Sequence, residues 1–530
     1  MFRKTPTLLS ITFCILLLAI ATINIYLQSP MGLLTTPDSL NYLDMAKNYD
    51  QGRGALVTNR TLQATVTGED AWLEQRLWPK LYPIALSFFV DSSYSTEAVR
   101  PLSILLLTFL AILFFVIVKR FFTQTVAFIA AVLLMHTLPI STVYAYIWSE
   151  TLFIPLFLLF SYATLRYAES TIDNRQSTID GSCLWISMLS LSLLALAYTR
   201  YIGIGMVVVL FPLFLLRIKS FKNLLIFLSV FVVFSIAVGI MLYNNYQLTG
   251  SISGGIRQAS STSWLDNIQA LLNILLVHFP SRQSNIAAFF IALISSVLFY
   301  RHIKPQAVVA ASPLPAAIIL FMLGVLYVVL LLGLRSHSTF DDLDVRLVSP
   351  AFVLFYLTAI LVWLASMQHM NTNKLYLIPA SLALCLCLAT AYQGYNLFHQ
   401  TVDSLKENSR VQYPVYGGAS YNNFTVADQH LLLKKTISQL LPANAVIAVN
   451  QRPAIIEMLV QRKTIALPEQ INIMDLQQLN QLPEGSIVLL DNSQPNPLAN
   501  LAKHWRIQPS QSILTRDGFT LLALPIILQE

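Results

Sequence analysis

The sequence predicts a mainly α-helical, polytopic membrane bundle of about eleven spans, followed by a small C-terminal α/β domain outside the cytoplasm. Three observations predict it. Of 530 residues, 55% are hydrophobic and only 11% are charged, against about 25% charged in soluble domains. The mean hydropathy is +0.63. Apolar runs close to the ~20 residues that cross a bilayer recur up to residue 395, and the runs beyond it are of strand length.

Taking the chain in order, Arg3 and Lys4 precede the apolar run 8–28. No convincing small-residue cleavage site follows, so this run reads as a retained first span. Further spans are predicted over 99–118, 124–145, 151–167, 183–199, 202–217, 223–244, 286–300, 314–334, 349–367 and 375–395. The stretch from Leu81 to Val90 is too short to cross and reads as a surface or re-entrant helix. Basic residues collect in alternate connections, among them Lys119 and Arg120, Arg217 to Lys222, and Lys374. By the positive-inside rule these face the cytoplasm together with the N-terminus. The 29–98 loop, the turns at Trp148–Glu150 and Thr199–Tyr201, the 245–285 and 335–348 loops and everything after 396 then face outside. The net charge of +7 serves this topology and gives no sign of a nucleic-acid partner; membrane lipids are the surroundings expected. The cysteines Cys14, Cys183, Cys385 and Cys387 lie in or beside apolar runs and form no metal or disulfide pattern.

The 29–98 loop opens with a helix. Thr36 suits the N-cap and Pro37 the first helical position. Tyr42, Met45, Ala46 and Tyr49 then form one apolar stripe, and Gly52 and Gly54 stop the helix. Asp38 falls in the first turn, where free N–H groups favour a carboxylate. Two readings of Asp38 stand: a helix-start acid, or a base or metal ligand held at the membrane surface. Asp44 lies off the stripe and reads as a surface residue.

From residue 396 the pattern is that of a small α/β domain, so the chain divides into 1–395 and 396–530. Ala445–Val449, Ser486–Leu490 and Thr520–Leu524 read as strands, with short helices at Ala454–Val460 and Pro497–His504. The domain carries no glycine-rich phosphate loop and reads as a scaffold or acceptor-guiding lid. Asn423-Phe424-Thr425 and Asn59-Arg60-Thr61 match the weak glycosylation sequon.

Ionisable residues are nearly absent from the span interiors and gather at outer ends: Asp38, Glu150, Arg200, and the segment from Arg335 to Arg346. An ion-coupled carrier would place such groups near the midplane instead. Arginine offers a planar fork for phosphate oxygens, and a nearby carboxylate can deprotonate an acceptor or hold a cation. The combination suits a lipid-phosphate substrate. Each residue also has a plainer reading. Arg200 and Arg346 can snorkel to the interface, Glu150 can be a helix-start acid, and Tyr146 and Trp148 read as interface anchors. His337 reads as a loop histidine rather than a metal ligand.

The order of short motifs is also informative. An Asp-x-x-x-Tyr-x-x-x-Ala helix ends in Gly-x-Gly (Asp38, Tyr42, Ala46, Gly52, Gly54), and Trp78-Pro79-Lys80-Leu81-Tyr82-Pro83 follows. Then come Arg100, Ser149-Glu150, Thr199-Arg200 and Arg346-Leu347-Val348-Ser349-Pro350. This set, spread over 8–395, resembles the GT-C membrane glycosyltransferases, the group containing protein O-mannosyltransferases and lipid A aminoarabinose transferases. The resemblance implies a polyprenyl-phosphate sugar donor, an outer-face site, and a bacterial inner membrane. It implies Asp38 as catalytic base, Glu150 as a second acidic residue, and Arg200 and Arg346 as donor-phosphate ligands. Tyr42, Tyr82, Tyr201 and His337 are the candidate substrate contacts. Many relatives carry Asp-Glu in the first loop where this chain has Asp38-Ser39. That departure leaves open whether a divalent cation takes part, with Asp38 and Glu150 as its ligands, and how the two acids divide their labour.

The expected activity is therefore transfer of a sugar to a glycan, lipid or protein acceptor on the outer face. The alternatives are a transporter or flippase of lipid-linked sugars, and a non-catalytic subunit of an envelope assembly.

Overall fold

The computed structural model describes residues 7–277, 313–369 and 441–529, apart from 30–31, 68–71, 75–77, 91–95, 173–178, 218–220, 256–258, 339–342, 443, 451–456, 458–462, 469, 492–495, 500–505, 510–513, 517–518 and 525. The chain forms two compact units. The first comprises Met1–Leu34, Arg76–Ala85 and Val99–Ala419; the second comprises Thr35–Gln75, Leu86–Ala98 and Ser420–Glu530.

The first unit is a helical bundle, and its long helices match the apolar runs. Helix α1 spans Thr7–Gln28. In the second unit, α2 is Pro37–Asp50, strands β1 and β2 are Leu56–Thr58 and Trp72–Glu74, and α3 is Leu62–Thr67. A short helix α4 occupies Leu81–Ser87. Back in the bundle, α5 is Arg100–Lys119, α6 Gln124–Met135, α7 Leu138–Ala145, α8 Glu150–Ile172 and α9 Ile179–Thr199. After it come α10 (Ile202–Gly205), a 3-10 turn, α11 (Leu210–Arg217), α12 (Phe221–Thr249) and α13 (Trp264–Val277). Two further helices, α14 (Pro313–His337) and α15 (Val345–His369), pack along one another. Helices α5, α8 and α15 are largely buried in the unit, whereas α1 and α12 expose most of their apolar side chains. Such exposed faces suit hydrocarbon, where nothing drives them inward.

Six described helices are long and apolar enough to cross a bilayer, or seven if the α6–α7 pair is one broken span. The predicted spans 286–300 and 375–395 lie outside the described residues. Three details differ from the sequence reading. The run 124–145 is two helices bent by 60°. Pro139 near the start of α7 has no N–H to continue the α6 ladder. The run 202–217 is α10, a 3-10 turn and α11 rather than one uniform helix. The expected 245–285 loop contains α13, tied to α14 by Asn267 Nδ2 donating to Ser336 Oγ at 3.0 Å.

The second unit is built on a five-stranded mixed sheet. Strands β3 (Ile447–Val449), β4 (Thr464–Ala466), β5 (Ile487–Asp491), β7 (Leu514–Arg516) and β8 (Phe519–Ala523) lie in the order β4-β3-β5-β8-β7. The three strands read from sequence are its adjacent central members. Their runs are apolar on both faces because both are covered. Val446, Ala448, Val488 and Leu490 enter one cluster, while Ile447, Val449, Ile487 and Leu489 enter another. Residues of the 29–98 loop share this core. Leu62 of α3 is buried in the first cluster, and the Ala466 N–H donates to Arg60 O at 2.7 Å. The helix α16, Ile473–Leu479, is capped by Asn472. The predicted helix 497–504 lies mostly outside the described residues, as does 454–460 apart from Glu457. A two-stranded ribbon pairs β6 (Arg506–Pro509) with β9 (Ile526–Gln529).

Candidate functional site

Three charged residues from distant segments of the first unit meet. The delivery of each follows from local sequence. After α7 the chain turns extended at Tyr146 and bridges Leu34, with Leu34 N–H donating to Ala145 O at 2.8 Å and Ile147 N–H to Leu34 O at 3.0 Å. This strut brings Trp148 and Ser149 to the start of α8, whose first residue is Glu150. Arg200 follows the last residue of α9, and the chain reverses immediately, Gly203 N–H donating to Arg200 O at 2.8 Å. Only glycine fits at 203: a Cβ there would stand 2.4 Å from the Leu196 carbonyl carbon. Arg346 lies in the first turn of α15, and Asp344 Oδ1 accepts from Leu347 N–H at 3.0 Å to cap that helix.

The Glu150 carboxylate is the meeting point. It is 1% exposed. Arg200 Nη1 is ion-paired with its Oε1, and Arg346 Nε lies 3.3 Å from the same oxygen. Ser149 Oγ lies 3.3 Å from Glu150 Oε2 and 3.3 Å from Arg200 Nη1. Asp344 Oδ2 is 4.0 Å from Arg346 Nε. The Arg346 guanidinium also lies over the Trp148 ring at 5.1 Å, and Trp148 stacks on Tyr146 at 4.1 Å. The expectation that these two aromatics serve only as interface anchors is thus corrected, for both are buried, Trp148 against Arg346 and Tyr146 against Trp148. The snorkelling reading of Arg200 and Arg346 is corrected likewise, because their head groups turn to a buried acid.

Helix dipoles add to the pattern. Glu150 at a helix start and Arg200 at a helix end are each favoured by about 0.3–1 kcal/mol. Arg346 stands at a helix start, where a cation is disfavoured, and Glu150 and Asp344 offset that cost. Two guanidinium groups converging on one carboxylate form an anion-binding pair. A divalent cation does not fit at Glu150, because two guanidinium groups already face its carboxylate. Among the described residues, no group of three His, Cys, Asp or Glu side chains is placed to hold one.

The remaining predicted contacts fall in different places. Tyr82 is 1% exposed and hydrogen-bonds with Thr151, next to Glu150 in sequence. Burial pushes its phenol well above the ordinary tyrosine range, and Glu150 adds to the rise. Tyr201 accepts from Asn245 Nδ2 at 2.8 Å. His337 is not in a loop but in the last turn of α14, exposed, with Nδ1 2.9 Å from Gly333 O.

Asp38 and Tyr42 belong to the second unit. Helix α2 begins as expected, with Thr36 as N-cap and a capping box closed by Ser39, whose Oγ accepts from Thr36 N–H at 3.0 Å. Asp38 is in the first turn and partly exposed, while Tyr42 is buried. Gly52 and Gly54 both have positive φ, which explains glycine at the helix stop. The surface reading of Asp44 is overturned. Asp44 is 1% exposed, accepts from Thr58 N–H at 2.7 Å and Thr58 Oγ1 at 2.9 Å, and pairs with Arg60 Nη1 at 2.9 Å. Arg60 Nε in turn donates to Glu457 Oε2 at 2.6 Å. Burial lowers the Arg60 pKa, but the charges of Asp44 and Glu457 outweigh this and hold it above its ordinary value. This network has little signature in the sequence, because Glu457 is far along the chain from Asp44 and Arg60, and Arg60 stands only as the middle of a sequon.

In comparison with known proteins, no family model matches the chain and no curated protein resembles it in sequence. Among solved structures, ArnT from Cupriavidus metallidurans bound to undecaprenyl phosphate aligns over 98% of this chain and 98% of its own, with a TM-score of 0.52 and 10% identity. The apo state of that protein covers 97% of this chain and 98% of its own, with a TM-score of 0.47 and 11% identity. The oligosaccharyltransferase AglB from Archaeoglobus fulgidus, in complex with an inhibitory peptide and a dolichol-phosphate, covers 98% of this chain and 75% of its own, with a TM-score of 0.39 and 10% identity. The mainly helical bundle expected from the sequence is observed, and its fold is that of the ArnT structure bound to undecaprenyl phosphate.

Proposed function

We propose that this integral membrane protein is a glycosyltransferase that moves a sugar from a polyprenyl-phosphate donor to a glycan, lipid or protein acceptor on the outer face of the membrane. The observation that carries the reading is the convergence of Arg200 and Arg346 on one buried anionic position. Its setting is a fold shared along nearly the whole chain with a protein bound to undecaprenyl phosphate.

In this reading Arg200 and Arg346 bind the donor phosphate, and Glu150 holds both guanidinium groups in place. Asp38 accepts the proton of the acceptor hydroxyl. The acceptor oxygen bonds to the anomeric carbon as the bond from that carbon to the phosphate oxygen breaks. Polyprenyl phosphate leaves, and the anomeric centre inverts. Arginines aimed at the charge that develops on the leaving oxygen supply transition-state stabilisation. Incubating the purified protein in lipid with a panel of undecaprenyl-phosphate-linked sugars, read by mass spectrometry, tests the reading. Release of undecaprenyl phosphate and a sugar-bearing product supports it. Intact donors across the panel, with acceptors of all three classes present, reject it.

A further inference from the structure

Helix α2, which carries Asp38, is tied to the strands of the second unit through a buried chain of charges. Asp44 lies six positions after Asp38 on that helix. Its carboxylate is fully engaged by Thr58 and Arg60, and Asn48, one turn further on, donates to Leu56 O at 2.8 Å. Met45, Ala55 and Val57 close an apolar contact beside these bonds. Arg60 is the pivot. One guanidinium nitrogen holds Asp44 and another holds Glu457, with side-chain exposures of 13%, 2% and 19% for Arg60, Asp44 and Glu457. The backbone of the same segment joins the sheet, since Thr61 bridges Ala466 in parallel and Ala466 N–H donates to Arg60 O.

We infer that Arg60 and Glu457 are positioning residues for Asp38, through which the C-terminal α/β part sets the placement of the helix bearing the catalytic base. This rests on the reading of Asp38 as base. It also gives that C-terminal part a role in the reaction, although it supplies no reacting group. The physical ground is rigidity. A guanidinium has a fixed fork and bonds two carboxylates at once in a set geometry. Arg60 therefore fixes the position of Asp44, and with it the set of α2, relative to Glu457. Helix α2 is short, and its start depends on a side-chain capping box, so this positioning is carried along it to Asp38.

The test uses the full-length protein with Glu457→Ala, Glu457→Asp, Asp38→Asn and the double variant Asp38→Asn/Glu457→Ala. The donor is the undecaprenyl-phosphate-linked sugar that the wild-type protein turns over. A displacement of a reacting group by about 1 Å can cost a hundredfold in rate. Glu457→Ala is expected to lower kcat about ten- to a hundredfold with donor KM changed by less than about threefold. Glu457→Asp restores part of the loss. Because Glu457 acts through Asp38, the double variant is no slower than Asp38→Asn alone. Amide hydrogen exchange rises across Pro37–Thr58 in Glu457→Ala while β3 and β5 stay protected. Losses that multiply in the double variant overturn the inference, as does wild-type kcat in Glu457→Ala. Should Glu457→Ala fail to accumulate, Glu457→Gln, which keeps the size, carries the same comparison. Asp38→Asn with normal turnover rejects the assignment of the base instead, so the two failures are told apart.

Discussion

Arg346 Nε lies 3.3 Å from Glu150 Oε1, so the N-termini of α15 and α8 meet through one buried ion pair. Two helix N-termini placed together concentrate partial positive charge, and Arg200 adds a further full charge. Glu150 offsets this charge, together with Asp344 at the start of α15. Removing one partner of such a pair leaves a buried charge uncompensated, at a cost of about 3–5 kcal/mol.

Glu150→Gln keeps the shape of the side chain and removes its charge. The variant is expected to lose roughly 3 kcal/mol of stability, less than the full buried-pair cost because Arg200 is partly exposed. Added undecaprenyl phosphate should recover more of the lost melting temperature in the variant than it adds to the wild type, because ligand binding stabilises the folded state by mass action. Equal shifts in both proteins would falsify the idea that phosphate and Glu150 share the two arginines.

Arg200→Ala and Arg346→Ala should each weaken undecaprenyl phosphate binding. Hydrogen bonds to charged groups are worth about 1.5–3 kcal/mol, so a loss of roughly ten- to a hundredfold is expected for each. Binding to the purified variants in nanodiscs measures it. Wild-type affinity in both variants refutes the phosphate assignment.

Asp38→Asn should lower sugar transfer by about a hundred- to ten-thousandfold, the usual worth of a positioned general base. The control is Asp50→Asn, at the exposed last position of α2, with an expected effect within about 0.5 kcal/mol on stability. Asp44 is no control. Asp44→Asn breaks the pair with Arg60 and should melt several degrees below wild type in a thermal scan of the purified protein. Normal abundance and normal transfer by Asp38→Asn would remove Asp38 from the mechanism.

The distribution of basic residues predicts that residues 396–530 face outside the cytoplasm. A phosphatase reporter fused after residue 530 should be active only when exported. Activity of a cytoplasm-dependent reporter at the same fusion point reverses the topology.

The sequence alone determined what depends on local pattern. Apolar run length placed α1, α5, α8, α12, α14 and α15 within a few residues, because the length and apolarity of a bilayer-crossing helix are set by the hydrocarbon it must occupy. Helix α2 was legible from Thr36 and Pro37 to Gly52, since caps and stops act within a turn. The central strands β3, β5 and β8 were legible because strands covered on both faces are continuously apolar. Tertiary structure decided which charges meet. Glu150, Arg200 and Arg346 were singled out as charges at helix ends, but nothing in their spacing said that both arginines would close on one carboxylate. The burial of Asp44 has the same cause. Its partners Arg60 and Glu457 come from a loop and a distant segment, and an ion pair depends on distance in space, which periodicity along one helix does not encode.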